Sequence, residues 1–190
     1  DLTGIEDFEF LEYLDCSNNL LSELNLANNT FLKQLNCSSN NLSSIEISNN
    51  IELEHLNASN NLLSEIDISN NVDLSYFDCS SNELSTIDIS NNTLLSFFYS
   101  NNNNANCISV WDVDFASLAE TMCNNQGCFI KDDNAAWSID CGSLNFESHN
   151  FTIPGLIRGY NILGKNIKSH TLSIEIYKNG FATKKFILNH

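Results

Sequence analysis

The feature that most constrains this chain is a 21-residue unit that is written four times between residues 11 and 94. The units start at Leu11, Leu32, Leu53 and Leu74, and a shorter fifth copy starts at Leu95. A fixed period of this length predicts a solenoid, because one unit is too short to bury its apolar side chains alone and has to stack on its neighbours.

Each unit carries one spacing twice, with apolar residues at its positions 1, 4, 6, 11, 14 and 16. In the second unit these residues are Leu32, Leu35, Cys37, Leu42, Ile45 and Ile47. The Leu-x-Cys and Ile-x-Ile pairs alternate with period two, which predicts a short strand in each half. Asparagine follows at positions 9, 18 and 19, where a side-chain amide bonds backbone groups at a bend. The fold class is therefore mainly β, a solenoid with short strands on both sides.

The spacing L-x-x-L-x-[LC]-x-x-N resembles the leucine-rich repeat, L-x-x-L-x-L-x-x-N-x-L. The 21-residue period with nested halves is similar to a bacterial class that is called IRREKO repeats. The resemblance covers about half of the chain and implies a leucine-rich-repeat solenoid. A plain β-helix of other descent, with the same period, stays open as the alternative.

The charge of the chain is strongly negative and unevenly distributed. The formal net charge is −16, with 22 acidic and two basic side chains in residues 1–142 against two acidic and six basic ones in residues 143–190. This change of composition predicts a domain boundary near Gly142. The acidic surface excludes nucleic acid and anionic membrane surfaces as partners, and no apolar run is long enough for membrane insertion.

The chain is expected to have four parts. Leu2, Ile5 and Phe8 continue the apolar spacing upstream of the first full unit, and Asp1 opens in mid-pattern, which favours a trimmed N-terminus from which a leader has been removed. The expected parts are a partial N-terminal repeat over 1–10, the solenoid over 11–106, a C-terminal cap over 107–142 and a small β appendage over 143–190.

The seven cysteines fall into two groups. Cys16, Cys37 and Cys79 occupy position 6 of their units, where Ala58 stands in the third, and are expected to point inward as free thiols. Four more lie in the cap segment, which favours two disulfides and an oxidising compartment. The expected pairs are Cys107–Cys141 and Cys123–Cys128. A zinc site is the alternative, although the C-x4-C spacing without a nearby histidine suits zinc poorly.

The cap segment departs from the period. CISVWDV is typical of a strand, AAWSIDCG of a last strand, and DFASLAETMCNN has the apolar spacing of a short helix at Phe115, Leu118, Ala119 and Met122. The segment resembles the C-terminal cap that follows such repeats in secreted bacterial proteins. A cap is needed because the end of a solenoid exposes its core.

The last part has the alternating pattern of a β-hairpin, with a turn at Lys178-Asn179-Gly180. Its YNILG and KKFIL segments resemble the C-terminal sorting domain of the type IX secretion system. The matching residues are Tyr160, Asn161, Gly164, Gly180, Lys184, Lys185 and Phe186. The resemblance implies export by the type IX machinery to the outer surface of a Gram-negative bacterium or beyond it. The usual Pro-Asn-Pro opening is reduced to FTIPGLI, so an unrelated β appendage stays open.

No catalytic constellation is present in the sequence. It contains no H-E-x-x-H, G-x-S-x-G or phosphate-binding glycine loop, so we expect no enzymatic activity and no cofactor. Carboxylates recur at exposed positions of the second strand, at Glu46, Asp67 and Asp88. A solvated acidic face is expected there rather than a metal site, with calcium as the alternative.

The candidate binding residues are the outward positions 3 and 5 of the first strand. Stacking at about 4.8 Å per unit places equal positions in columns. The predicted ligand-binding residues are Tyr13, Asp15, Gln34, Asn36, His55, Asn57, Tyr76, Asp78, Phe97 and Tyr99. Exposed aromatics beside amides and carboxylates suit a protein loop or a sugar chain. Cross-strand stacking that only stabilises the sheet is the alternative.

These observations predict a secreted or cell-surface recognition module that binds protein or polysaccharide on the first-strand face and has no enzymatic activity. The alternative function is structural, in which the solenoid acts as an adhesin or stalk component and its aromatic residues support self-association.

Overall fold

A computed structural model describes residues 2–121, 123–124 and 127–141, together with the backbone of residues 172–178 and 181–188. The chain forms two compact units, Asp1–Asn145 and Phe146–His190. The first unit is a parallel β solenoid that contains the repeats and the cap.

The first side of the solenoid is a parallel sheet of six strands in the order β1-β2-β3-β4-β6-β8. Each of the repeat strands pairs with its equivalent in the next repeat, so that Leu14 lies opposite Leu35 and Leu35 lies opposite Leu56. These central residues point inward while their neighbours face outward, because side chains alternate along a strand. The strands are β1 (Tyr13–Asp15), β2 (Gln34–Asn36), β3 (His55–Asn57), β4 (Tyr76–Asp78), β6 (Phe97–Tyr99) and β8 (Cys128–Ile130).

The second side carries a three-stranded parallel sheet. Its strands are β5 (Ile87–Asp88), β7 (Cys107–Ser109) and β9 (Ala136–Ser138). Short strands on both sides are therefore confirmed, although in the described residues the second sheet begins only at the fourth repeat. The second halves of the earlier repeats still bury their apolar residues, and Ile47 and Ile68 are almost inaccessible.

At the bend after each first strand, the residue at position 8 has a left-handed backbone conformation, with φ between 55° and 60°. The residues there are Asn18, Ser39, Asn60, Ser81 and Asn102. The asparagine at position 9 is held inside the bend instead. In Asn61, the Oδ1 atom accepts the N–H of Leu42 at 3.1 Å, while Nδ2 donates to the carbonyls of Cys37 and Ala58 at 3.0 and 3.2 Å. Position 9 thus joins consecutive repeats, whereas position 8 turns the chain.

The cap continues both sheets by one turn, since β8 pairs with β6 and β9 pairs with β7. Helix α1 (Val113–Thr121) precedes β8. Both expected disulfides, Cys107–Cys141 and Cys123–Cys128, are confirmed, and Cys16, Cys37 and Cys79 are buried free thiols.

The predicted apolar face of the cap helix is wrong in detail. Ala116 is its fully buried residue, whereas Leu118 is 56% exposed. The helix turns its Ala116 side toward the core, so Phe115 is left 43% exposed and only the edge of its ring contacts the buried Phe129, at 5.8 Å. Met122, the last residue of the predicted face, lies outside the described residues.

Asp132 accepts the last hydrogen bonds of a series that runs along the solenoid at the bend after each first strand. Within the repeats, a bend N–H donates to a carbonyl of the next repeat, as Ser81 N does to the Asn101 carbonyl at 2.8 Å. At the last bend, the N–H groups of Asn102 and Asn103 donate to the Asp132 carboxylate at 2.8 and 2.9 Å. One carboxylate therefore replaces two backbone acceptors, and nothing in the repeat pattern signals it.

The second unit contains an antiparallel hairpin of β10 (Leu172–Lys178) and β11 (Phe181–Leu188), with a register shift between Ile176 and Tyr177. The predicted hairpin is confirmed at the backbone level. The YNILG segment over residues 160–164, the FTIPGLI opening and the predicted turn residues Asn179 and Gly180 lie outside the described residues. In the part of the chain that the structure describes, no helix has the length and apolar character needed to cross a membrane.

Candidate functional site

The ten candidate residues lie in two adjacent rows across the first sheet, which we call the first-strand face. The parallel strands pair in register, so position 3 supplies one row and position 5 the other. The first row contains Tyr13, Gln34, His55, Tyr76 and Phe97, and the second contains Asp15, Asn36, Asn57, Asp78 and Tyr99. All ten are exposed or half-buried. The structure thus brings them together, while their role in binding stays a prediction.

The aromatic rings of the first row pack against one another over the later repeats. The His55 and Tyr76 rings are 6.0 Å apart between centroids with their planes at 20°, and Tyr76 lies 6.4 Å from Phe97 and 5.8 Å from Tyr99. Partial burial raises the pKa of Tyr76, so its hydroxyl stays protonated at neutral pH. Tyr13 is separated from this cluster by Gln34 and is 60% exposed.

The second row has a structural role that the sequence analysis missed. Asp15 Oδ1 accepts the N–H of Ser17 at 2.9 Å, and Asn57 Oδ1 accepts both the N–H and the hydroxyl of Ser59 at 3.1 and 2.7 Å. These are Asx turns, which the recurrent Asp/Asn-x-Ser spacing signals. Hydrogen bonds from Ser17 lower the pKa of Asp15, so this exposed carboxylate keeps its charge at neutral pH.

A shallow depression of about 350 Å³ lies on the first-strand face between Tyr13 and Tyr76. Gln34 and His55 from the first row and Asn36 from the second row line it. The Asn36 amide donates to Asp15 Oδ2 at 3.1 Å, which fixes one carboxylate beside the depression. The depression offers two aromatic walls with amide and carboxylate groups between them, an arrangement suited to orienting a chain-like ligand.

The acidic column of the second side is organised differently. Glu46, Asp67 and Asp88 each accept the backbone N–H two residues later, at 3.0, 2.9 and 2.9 Å. Hydrogen bonds from the following serines lower the pKa of Glu46 and of Asp67. In the described ranges, no group of three or more histidine, cysteine, aspartate or glutamate residues is arranged to hold a metal ion.

The interior of the first side contains a column of small residues at position 6. It consists of Cys16, Cys37, Ala58 and Cys79, all buried. Burial raises the pKa of the Cys16 thiol to about 11 and that of the Cys37 thiol to about 12. The thiols are therefore neutral packing groups at physiological pH, in line with the sequence prediction.

Comparison with known proteins supports the fold assignment. No protein-family profile matches the chain, and no curated protein matches it either. Among solved structures, the chain is similar to the functional domain of InlJ from Listeria monocytogenes, which includes a cysteine ladder, with 31% identity and a TM-score of 0.58. The match covers 68% of this chain, which spans only 27% of the length of the InlJ chain. The chain is thus a leucine-rich-repeat-like parallel β solenoid.

Proposed function

We propose that this chain is a non-enzymatic recognition module that binds an extended protein or glycan ligand along the first-strand face. The observation that carries the proposal is the alignment of ten outward side chains in two rows, of which Tyr13 and His55 are exposed in the part of the first unit that the structure describes. Exposed aromatic rings beside amides and carboxylates give a binding surface contact area at low conformational cost.

The rest of the first unit supports a rigid platform. The position 9 asparagines lock successive repeats together, and the two disulfides close the cap. A preformed surface loses little conformational freedom on binding, which favours affinity. The disulfides also fit an oxidising compartment, so a secreted or cell-surface location is part of the proposal.

The test is the loss of ligand binding in tyrosine variants. Tyr76→Ala and Tyr99→Ala should each weaken binding by about 1–2 kcal/mol, as aromatic anchors do. Glu65→Ala and Asp67→Ala change the second side and serve as controls that leave affinity unchanged. Ligands are found by glycan-array binding and by affinity capture on the immobilised chain, and affinities are measured by calorimetry.

Two other outcomes would contradict this proposal. If the tyrosine variants lower the melting temperature sharply and leave binding intact, the rings of the first row serve sheet stability. If sedimentation shows concentration-dependent assembly that Tyr76→Ala abolishes, the face is a contact between copies, and the chain is a structural surface component.

We further propose that residues 143–190 direct export by the type IX machinery to the outer surface of a Gram-negative cell. The support is the change from net negative to net positive charge near Gly142, the YNILG and KKFIL segments, and the antiparallel hairpin of β10 and β11. A chain truncated after Gly142 should keep a cooperatively melting solenoid but stay inside cells that possess this system. Export of the truncated chain would exclude the proposal.

A further inference from the structure

We propose that the occupant of the first-strand face is a basic, extended segment of a partner protein. Two of its cationic side chains would be held by two aromatic–carboxylate pairs, Tyr13 with Asp15 and Tyr76 with Asp78. This inference rests on the proposed recognition function and specifies the chemistry of the ligand.

The two pairs have the same construction. In β1 and in β4, an aromatic ring at position 3 is followed by a carboxylate at position 5, and both side chains face outward. Side chains two residues apart on one face of a strand are separated by about 7 Å. A guanidinium or ammonium group placed between them contacts the carboxylate and the solvent-accessible part of the ring together, which does not require the whole ring face to be open. The repeats between them have amides at position 5, Asn36 and Asn57, and carry no carboxylate there.

The spacing of the pairs matches an extended chain. Tyr13 and Tyr76 are three repeats apart, which corresponds to about 14 Å at the spacing of adjacent strands. An extended peptide covers about 13 Å in four residues. The depression of about 350 Å³ lies between the two tyrosines and leaves room for the intervening residues. Basic residues four apart in an extended segment therefore reach both pairs.

The charge of the solenoid favours a basic partner. Residues 1–142 contain only two lysine or arginine side chains, Lys33 and Lys131, and one histidine, His55, which lies in the first row itself. Lys33 Nζ is ion-paired with Glu12 Oε2 at 3.0 Å, and Lys131 Nζ with Glu120 Oε1 at 3.2 Å. Neither lysine is therefore ion-paired with Asp15 or Asp78, which leaves both carboxylates available to a cationic partner. An excess of negative charge on this scale attracts cationic partners and accelerates their association.

The ring geometry disfavours a sugar chain as the main occupant. A pyranose packs flat on an exposed aromatic face, but the His55, Tyr76 and Phe97 rings lie beside one another at 6.0 and 6.4 Å and cover part of each other's faces. Among the tyrosine and phenylalanine rings of the first row, Tyr13 is the exposed one, at 60%, whereas Tyr76 and Phe97 are half-buried. A neutral sugar also leaves both carboxylates without an ionic partner, so the face is more complementary to arginine or lysine.

The experiment uses the full chain and three short synthetic peptides labelled for fluorescence anisotropy. Two have the same composition of serine, threonine and two arginines, with the arginines four residues apart in one and two apart in the other. The third replaces both arginines by glutamate. The four-apart peptide should bind roughly threefold or more tightly than the two-apart peptide, the glutamate peptide should not bind, and added salt should weaken binding.

The variants separate the two pairs from general charge attraction. Asp15→Asn and Asp78→Asn should each weaken binding of the four-apart peptide roughly two- to fivefold. The bend should survive, because Asn36 occupies the equivalent position and its Oδ1 accepts the Ser38 N–H at 3.2 Å.

Asp67→Asn is the matched control. It makes the same change of charge on the second side, where Asn25 holds the equivalent position and accepts the Ala27 N–H at 3.2 Å. It should leave affinity unchanged.

Several results would overturn the inference: equal affinity for the two arginine peptides, equal losses from Asp67→Asn and Asp15→Asn, or no binding of either arginine peptide. Binding of a neutral oligosaccharide that depends on Tyr76 but not on salt would overturn the basic occupant and leave the recognition function in place. If Tyr76→Ala and Asp15→Asn affect no ligand, the proposed function fails as well.

Discussion

The two halves of each repeat share one leucine spacing but use their buried asparagines differently. In the first half, Asn61 Oδ1 accepts the Leu42 N–H and its amide group donates to three carbonyls. In the second half, Asn71 Nδ2 donates to the Ile47 and Asn50 carbonyls at 3.1 and 2.8 Å, while its Oδ1 atom is buried without a hydrogen bond. The Oδ1 atoms of Asn29, Asn50 and Asn92 are likewise buried without a hydrogen bond.

This difference shows that an asparagine can recur at a fixed position in every repeat and still contribute differently to the free energy of unfolding in the two halves. In the bend after the first strand, which we call the first bend, both the oxygen and the nitrogen of the asparagine amide are hydrogen-bonded. This bend should therefore be the stronger connection between repeats. The second bend gains two donor bonds but carries a buried acceptor, which costs free energy. The interior differs as well, with cysteine or alanine at position 6 and leucine or isoleucine at position 16. The candidate site therefore lies on the half in which successive repeats are connected by fully hydrogen-bonded asparagines.

The buried cysteines at position 6 predict that the stability of the first half falls at alkaline pH. Burial raises the pKa of Cys16 and Cys37 from 9.0 to about 11 and about 12, and it raises that of Cys79 well above the usual value. The stability that neutral thiols contribute is complete below their unfolded pKa and is lost as pH rises toward the folded values. From Cys16 and Cys37 alone, we expect the free energy of unfolding to fall by roughly 5 kcal/mol between about pH 8 and pH 11, and Cys79 adds to this loss.

The triple variant Cys16→Ala, Cys37→Ala, Cys79→Ala is the control for this prediction, since Ala58 shows that the column accepts alanine. Denaturant unfolding at several pH values should show a much smaller alkaline loss in this variant. An unchanged loss would assign the effect to tyrosine or lysine titration.

Removing an asparagine of the first bend should destabilise the chain most among the polar substitutions. Asn61→Ala leaves the buried Leu42 N–H without an acceptor and removes the donors to the Cys37 and Ala58 carbonyls. We expect a loss of about 2–4 kcal/mol, measured by denaturant unfolding. A loss below about 1 kcal/mol would show that water replaces the amide at this bend.

The corresponding substitution in the bend after the second strand position should lower the free energy of unfolding by a smaller amount. Asn71→Ala also removes two donor bonds, but it eliminates a buried oxygen that has no partner. The expected loss is about 1–2 kcal/mol, roughly half that of Asn61→Ala. Equal losses measured side by side would contradict the comparison between the two bends.

A stabilising substitution should exist at the left-handed position of the first bend. Ser81 has a φ of 56°, where Asn60 and Asn102 stand in neighbouring repeats. Asparagine adopts this conformation more readily than serine, so Ser81→Asn should raise stability by about 0.5 kcal/mol. Ser85→Asn, at an exposed site outside this bend, serves as the control for composition. The substitution also removes Ser81 Oγ, which accepts a hydrogen bond from Asn102 Nδ2 at 3.3 Å. A lower melting temperature for Ser81→Asn would show that this hydrogen bond outweighs the backbone preference.

The sequence by itself determined the periodic part of this protein. Leu35, Leu56 and their equivalents recur with the register in which the strands pair, and the outward rows of the candidate site follow from that register. In a solenoid each contact across the sheet repeats at a constant sequence distance, so a local pattern contains the tertiary contacts. The cysteine counts and spacing likewise led to the observed disulfides.

Only the tertiary structure decided what lies outside the period or depends on geometry around a single atom. The role of Asp132, the burial of Ala116 and the orphan oxygen of Asn71 belong to this class. So does the depression between Tyr13 and Tyr76, since its volume depends on how the intervening side chains pack. A repeat pattern specifies which residues face each other, but hydrogen-bond partners and packing gaps depend on distances of a few tenths of an ångström that no spacing encodes.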